Sequence, residues 1–170
     1  GVGKTTLAQL IYNDFRASDH FDRKMWVSVG EDFDLIKIAK AIIEQINHEA
    51  KNLSNLEVLQ ETLRHSISGK RILLVLDDVW NEDSLKWSMM SRGFLGAAHL
   101  ESAVVITTRN TMVARLSGTV LPYYLGPLDE EDSWSLFRKF AFKSIHNREN
   151  IELEEIGRRI VQRCGGLPLA

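Results

Sequence analysis

The chain has 170 residues, enough for one domain with its own core, or for one domain and the start of another. Its 21 basic and 23 acidic side chains leave a net charge of −2, which offers no general attraction to nucleic acid or an anionic membrane. The single cysteine, Cys164, excludes an intrachain disulfide and a cysteine-rich metal site. No apolar run approaches the roughly 20 residues that span a bilayer, so the composition points to a soluble, intracellular α/β protein.

The sequence opens on Gly-Val-Gly-Lys-Thr-Thr, and Leu7, Ala8, Leu10 and Ile11 then follow at helical spacing. A helix over residues 4–13 is therefore expected to begin inside the glycine loop. Residues 24–29 (KMWVSV) are a short β-rich run. Asp32 or Asp34 is placed to cap a helix over residues 34–50, in which Leu35, Ile38, Ala39, Ile42, Ile43 and Ile46 form one apolar stripe. Residues 56–67 make a second amphipathic helix, ended by Ser68 and Gly69.

RILLVLDDVW (71–80) is the clearest strand, because Ile72 to Leu76 are apolar without a break, as in a strand buried on both faces. Residues 84–98 leave helix and loop open. AVVITTR (103–109) reads as another continuous buried strand, 111–116 as a short helix and 122–126 as a last short strand. After Gly126 the pattern turns wholly helical, with amphipathic helices over 129–142 and 151–164. Strands alternating with helices predict an α/β fold, a parallel sheet flanked by helices. The tail predicts a second, helical subdomain, so the expected division is 1–125 and 126–170.

Three sites carry chemistry. The first is the phosphate-loop pattern G-x-x-x-x-G-K-[ST], whose end is Gly3, Lys4 and Thr5 and whose first glycine would fall before residue 1. Glycine lets backbone N–H groups converge on phosphate oxygens, and the following helix N-terminus adds its positive dipole end. Lys4 would neutralise the β- and γ-phosphates and the Thr5 hydroxyl would ligate Mg²⁺.

The second site is LLVLDD, an apolar strand that delivers Asp77 and Asp78 at its C-terminal edge, where open α/β sheets hold their ligands. Asp77 would hold Mg²⁺ directly or through water, and Asp78 is placed to orient or deprotonate an attacking water. The third is VVITTR, a strand ending in Thr107, Thr108 and Arg109, where an arginine can reach a terminal phosphate and report its presence. Taken alone each has a bland reading: a chance G-K-T at a helix start, a solvated Asp pair, a surface ion pair. Their order along one chain favours the nucleotide reading. Trp26 and Trp80 are assigned no ligand role, and the five histidines show no metal spacing.

These stretches resemble the consecutive motifs of the NB-ARC module: GVGKTTLAQLIYND, FDRKMWVSVGEDFDLIKIAKAIIEQI, RILLVLDDVW, VVITTRN, YYLGPLDEEDSWSLFRKFAF and CGGLPLA. That module is the nucleotide-binding switch of plant disease-resistance proteins of the NBS-LRR type. Trp80 directly after LDDV, and the FDRKMWVSV block, resemble the class with a coiled-coil N-terminus rather than a TIR domain. The resemblance implies a P-loop NTPase fold of the signal-transduction ATPase type, bound to ADP at rest and to ATP when active, with slow hydrolysis as the reset. Carried over to matching positions, it places Gly1, Val2, Gly3, Lys4, Thr5 and Thr6 on the phosphates, Thr5 and Asp77 on Mg²⁺, Asp78 as the hydrolytic acid/base and Arg109 as phosphate sensor. Pro168 in the closing GLPLA would pack beside the nucleotide, at the start of the first helical ARC subdomain.

Gly30 stands where the family commonly has Ser, and ESAVVITTR lacks the usual Gly-Ser-Lys before the strand; both departures lie outside the proposed phosphate contacts. The resemblance also implies coiled-coil and leucine-rich-repeat domains in cis, oligomerisation with ATP bound, and a cytoplasmic location, with no nucleic acid or membrane partner evident. The alternative is a turnover P-loop NTPase or kinase; the switch is at most a slow Mg²⁺-dependent ATPase. The chain begins and ends on two motif blocks, as a fragment bounded by them would. The strand before Gly1, in mid-sheet by resemblance, is then missing, and the piece alone is expected to fold poorly and bind nucleotide weakly.

Overall fold

The computed structural model describes residues 1–47, 55–142 and 151–170. They fall into two compact units, Thr5–Pro122, and Gly1–Lys4 together with Tyr123–Ala170. In chain order the elements are α1 (Lys4–Asn13), α2 (Phe15–His20), β1 (Arg23–Ser28), α3 (Leu35–Asn47), α4 (Leu56–Ile67), β2 (Ile72–Asp77), α5 (Ser84–Ser88), a π-helical turn (Met89–Phe94), β3 (Ala103–Ile106), α6 (Thr111–Ser117), α7 (Glu130–Ala141) and α8 (Ile151–Cys164).

In the larger unit the three strands form a parallel sheet in the order β1-β2-β3, with Met25 level with Leu74 and Leu74 level with Val104. All six residues of β2 are buried, as its unbroken apolar run requires. Ile72, Leu74 and Leu76 join the core built with the buried stripe of α3 (Leu35, Ile38, Ala39, Ile42, Ile43) and with Leu59, Leu63 and Ile67 of α4. Leu73 and Val75 are buried on the opposite face of the strand.

Helix α3 begins where Asp34 accepts the N–H groups of Ile36 and Lys37 at 2.8 and 3.2 Å, so Asp34 is the cap and Asp32 pairs with Lys37 Nζ at 2.6 Å instead. The last expected residues of that helix, 48–50, lie outside the described residues.

Two expectations are corrected. Residues 122–126 form no strand: Tyr123 and Tyr124 are exposed in an irregular segment that Pro122 enters without an N–H to donate. AVVITTR is a strand only over its first four residues, and Val104 is 41% exposed. Ala103, Val105 and Ile106 are half-buried and Val104 is exposed, so the apolar run is not buried on both faces. Helix α2 was not apparent in the apolar pattern, since FRASDH has none; it is started by Asp14, which accepts the Arg16 N–H and pairs with the Arg16 guanidinium at 2.7 Å.

The smaller unit packs α7 against α8, with Trp134 stacked on Phe137 at 5.8 Å between ring centroids. Asp129 caps α7 by accepting the Asp132 N–H at 2.7 Å. After α8 the chain turns through Gly165 and Gly166, both at positive φ (56° and 74°), and the Gly166 carbonyl accepts the Leu128 N–H at 2.9 Å. A Cβ on Gly166 would lie 2.3 Å from the Leu128 carbonyl oxygen, so only glycine fits that turn.

Candidate functional site

Gly3 is the hinge of the opening loop. Its φ of 96° is a backbone conformation that L side chains rarely adopt, and α1 starts at the next residue, Lys4. The first N–H groups of α1 have no earlier turn to bond within the helix. Thr5 and Thr6, in that first turn, are exposed.

Thr5 reaches the C-terminal edge of the sheet. Its hydroxyl donates to Asp77 Oδ1 at 2.9 Å, with Oδ2 at 3.2 Å. Asp77, the last residue of the central strand, is only 8% exposed, and its carboxylate accepts from the hydroxyls of Thr5 and Thr107. Burying a carboxylate in this way is costly unless hydrogen bonds compensate, and Thr5 and Thr107 supply them.

Asp78 follows in the left-handed region at φ 56°, among the described residues the one non-glycine with positive φ. Such a backbone persists only where its surroundings hold it. The turn carries its half-exposed carboxylate toward Arg109, whose Nε lies 3.6 Å from Asp78 Oδ1. The Arg109 guanidinium also stands over the Trp80 ring, 5.7 Å from its centroid. Asn110 then caps α6 through the Met112 N–H at 2.8 Å and donates its side-chain amide to Glu82.

The structure thus brings together Thr5, Asp77, Asp78 and Arg109. Gly1, Val2, Gly3 and Lys4 precede them directly in the chain. In the smaller unit Gly1 lies against Leu169: a Cβ on Gly1 would stand 3.0 Å from the Leu169 Cβ. Pro168 lines a cleft of ≈ 450 Å³ with Leu128, Phe137, Cys164 and Leu167.

The roles of Thr107, Thr108, Trp80 and Glu82 were not read from the sequence. The doubled threonine after an apolar strand was visible, but its partners on the β2 exit depend on strand register.

The donors at the strand edge suit a hard divalent cation. Asp77 offers a carboxylate and Thr5 a hydroxyl, both oxygen. Among the described residues no group of three His, Cys, Asp or Glu side chains gathers to form an all-protein cage. Mg²⁺ in general takes one or two protein ligands and fills its shell with substrate phosphates and water. No helix among the described residues is long and apolar enough to cross a membrane.

The chain matches the NB-ARC domain family over residues 1–147. It is 46% identical to disease resistance protein RGA2 of Solanum bulbocastanum over 174 residues, covering 100% of this chain and 17% of that protein. Putative disease resistance protein RGA1 of the same species is 44% identical over 173 residues, with 100% and 17% covered. Putative disease resistance RPP13-like protein 1 of Arabidopsis thaliana is 41% identical over 172 residues, with 100% and 16% covered. The chain therefore spans less than a fifth of the length of these relatives. A Gly-Lys-Thr helix start, a P-loop-type parallel sheet with helices on it and a family match over most of the chain agree, and the chain belongs to the NB-ARC domain family, a nucleotide-binding module of plant disease resistance proteins.

Proposed function

We propose that this chain is the ADP/ATP switch module of a plant immune receptor of the coiled-coil class, holding ADP at rest and ATP when active. The observation that carries it is the Thr5–Asp77 hydrogen bond at 2.9 Å, which joins the start of α1 to the end of the central strand across 72 positions of sequence. In this reading the backbone of Gly1, Val2 and Gly3 and the N–H groups opening α1 cradle the phosphates, and Lys4 and Thr6 complete their contacts. Thr5 and Asp77 hold Mg²⁺, which when bound offsets phosphate charge.

Asp78 orients or deprotonates the water for a slow hydrolysis that resets the switch. Arg109 senses the terminal phosphate, and its exposed side chain is free to exchange its Asp78 contact for that anion. Residues 1–125 form the nucleotide-binding part, 126–170 begin the first helical ARC subdomain, and Pro168 stiffens the turn beside the nucleotide. The parent receptor carries coiled-coil and leucine-rich-repeat domains, acts in the cytoplasm and oligomerises with ATP bound.

The test is mass spectrometry of nucleotide released from the purified full-length protein, read beside its turnover rate. Abundant ADP with turnover near zero is expected. Rapid release with turnover in the range of about 1–100 s⁻¹, typical of kinases, sinks the switch.

A further inference from the structure

Asp77 and Thr107, at 8% and 7% exposure, are polar residues buried at the edge of the sheet, and they are bonded to each other. A threonine hydroxyl has one proton to give. Thr107 gives it to Asp77 Oδ1 at 2.5 Å and accepts the Asp78 N–H at 2.9 Å on the same oxygen. The Thr107 carbonyl accepts the Val79 N–H at 2.9 Å, and its own N–H donates to the Leu76 carbonyl at 3.0 Å. Thr108 adds a bond from its hydroxyl to the Val79 carbonyl at 2.6 Å. Two residues past the end of β3 therefore grip four consecutive residues at the exit of β2, and Asp78, at φ 56°, sits in the middle of that grip.

We propose that Thr107 is a positioning residue that sets the affinity of the Thr5–Asp77 site for a divalent cation without itself touching nucleotide. With its proton committed to Oδ1 and its oxygen to the Asp78 amide, the hydroxyl fixes the carboxylate torsion. Among the described residues Oδ2 has the longer, 3.2 Å contact to Thr5 alone, and it is the oxygen left for the cation. A valine of the same shape would leave Oδ1 and the Asp78 N–H without that partner and let the carboxylate turn. The inference rests on the reading of Thr5 and Asp77 as a cation site.

The experiment titrates Mg²⁺ into the full-length protein with a fluorescent, hydrolysis-resistant ATP analogue, and repeats the binding in EDTA. Thr107→Val is expected to raise the Mg²⁺ midpoint about tenfold, the scale of one hydrogen bond to a charged group, and to leave binding in EDTA unchanged. Thr107→Ser, which keeps the hydroxyl and drops the methyl, is expected to restore the parental midpoint. A parental midpoint in Thr107→Val overturns the proposal. So does an equal rise in Thr107→Ser, or an equal loss of binding in EDTA, either of which marks Thr107 as packing alone.

Asp77→Asn separates the two readings. If binding by the parent protein does not depend on Mg²⁺, or if Asp77→Asn leaves that dependence intact, the cation site itself is wrong. If Asp77→Asn removes it while Thr107→Val does not shift it, only the role of Thr107 fails. Should Thr107→Val not accumulate as folded protein, Thr107→Cys, with its weak S–H donor, gives the same readout with the same expected rise.

Discussion

Gln45 pairs with the backbone of Trp26 through both ends of its amide: Oε1 accepts the Trp26 N–H at 3.0 Å and Nε2 donates to the Trp26 carbonyl at 3.0 Å. Trp26 lies on β1, an outer strand of the sheet, so these are groups that another strand would otherwise seek. Tyr12 covers the same edge two residues away by donating its hydroxyl to the Lys24 carbonyl at 3.2 Å. One helix side chain thus imitates a neighbouring strand.

Gln45→Ala is expected to open that edge. The loss should be about 1–2 kcal/mol, that of the hydrogen bonds it removes. Hydrogen–deuterium exchange of a peptide covering residues 23–28 in the full-length protein measures it directly. Faster exchange there, with the peptide over β2 unchanged, is the expected result; an unchanged β1 peptide would show that water replaces Gln45 without cost.

The two glycines after α8 separate strain from collision. Gly165 has φ 56° and open space where a Cβ would go, so Gly165→Ala should cost about 1–2 kcal/mol from the left-handed backbone alone. Gly166 has φ 74°, and its Cβ would collide with the Leu128 carbonyl oxygen at 2.3 Å and crowd the Pro127 Cβ at 2.9 Å. Gly166→Ala must also break the 2.9 Å bond from the Leu128 N–H. It should therefore be clearly worse than Gly165→Ala in soluble yield and in resistance of residues 123–170 to limited proteolysis. Equal behaviour would contradict the placement of that turn.

Much of this was legible before the fold, and the reasons are local. Five apolar residues in a row at 72–76 require burial on both faces, and β2 is the central strand. The stripe from Leu35 to Ile43 and the helix at Leu56–Ile67 follow from spacing within one helix face. What escaped depends on partners far along the chain or, for α2, on a polar cap in place of an apolar stripe. Val104 looks as apolar as Leu74, yet it is exposed where Leu74 is buried, because burial depends on what packs over each face of the sheet. Helix α2 is held by a cap and an ion pair, not by an apolar stripe. The role of Thr107 needs the parallel register that sets the end of β3 beside Leu76. In the candidate site, residue types and order were visible, whereas the hydrogen bonds that aim them were not.

Acid should loosen the start of α2. The Arg16 side chain and N–H, both bonded to Asp14, hold its carboxyl down at about 2, below its ordinary 3.8. A carboxyl lowered on folding stabilises the native state fully above its unfolded value, and this is lost as pH falls through the folded value. The unfolding midpoint of the parent protein should therefore exceed that of Asp14→Ala by a constant margin above pH 5. The margin should shrink below pH 4 and close near pH 2. Because the pair is exposed, added salt should also narrow it. A margin independent of pH would leave no role for the charge of Asp14.

Lys4 and Asp78 should divide binding from chemistry in the full-length protein. Lys4 stands at the first position of α1, directly after the left-handed Gly3, and in the proposed site it is the cation of the cradle. Lys4→Ala should abolish retention of nucleotide, read as ADP released on denaturation and counted by mass spectrometry. Asp78 makes a different contribution, since its carboxylate is half exposed and faces Arg109 across 3.6 Å, outside the Thr5–Asp77 pair. Asp78→Ala should leave nucleotide in place and slow hydrolysis by roughly 10²–10⁴-fold, the usual contribution of a general acid or base. Removing the carboxylate also leaves Arg109 its contact with Trp80, so its side chain is not left without support. If ADP co-purifies unchanged with Lys4→Ala, the phosphate site lies elsewhere. If Asp78→Ala loses its nucleotide as fully as Lys4→Ala, Asp78 acts in binding rather than in the hydrolytic step.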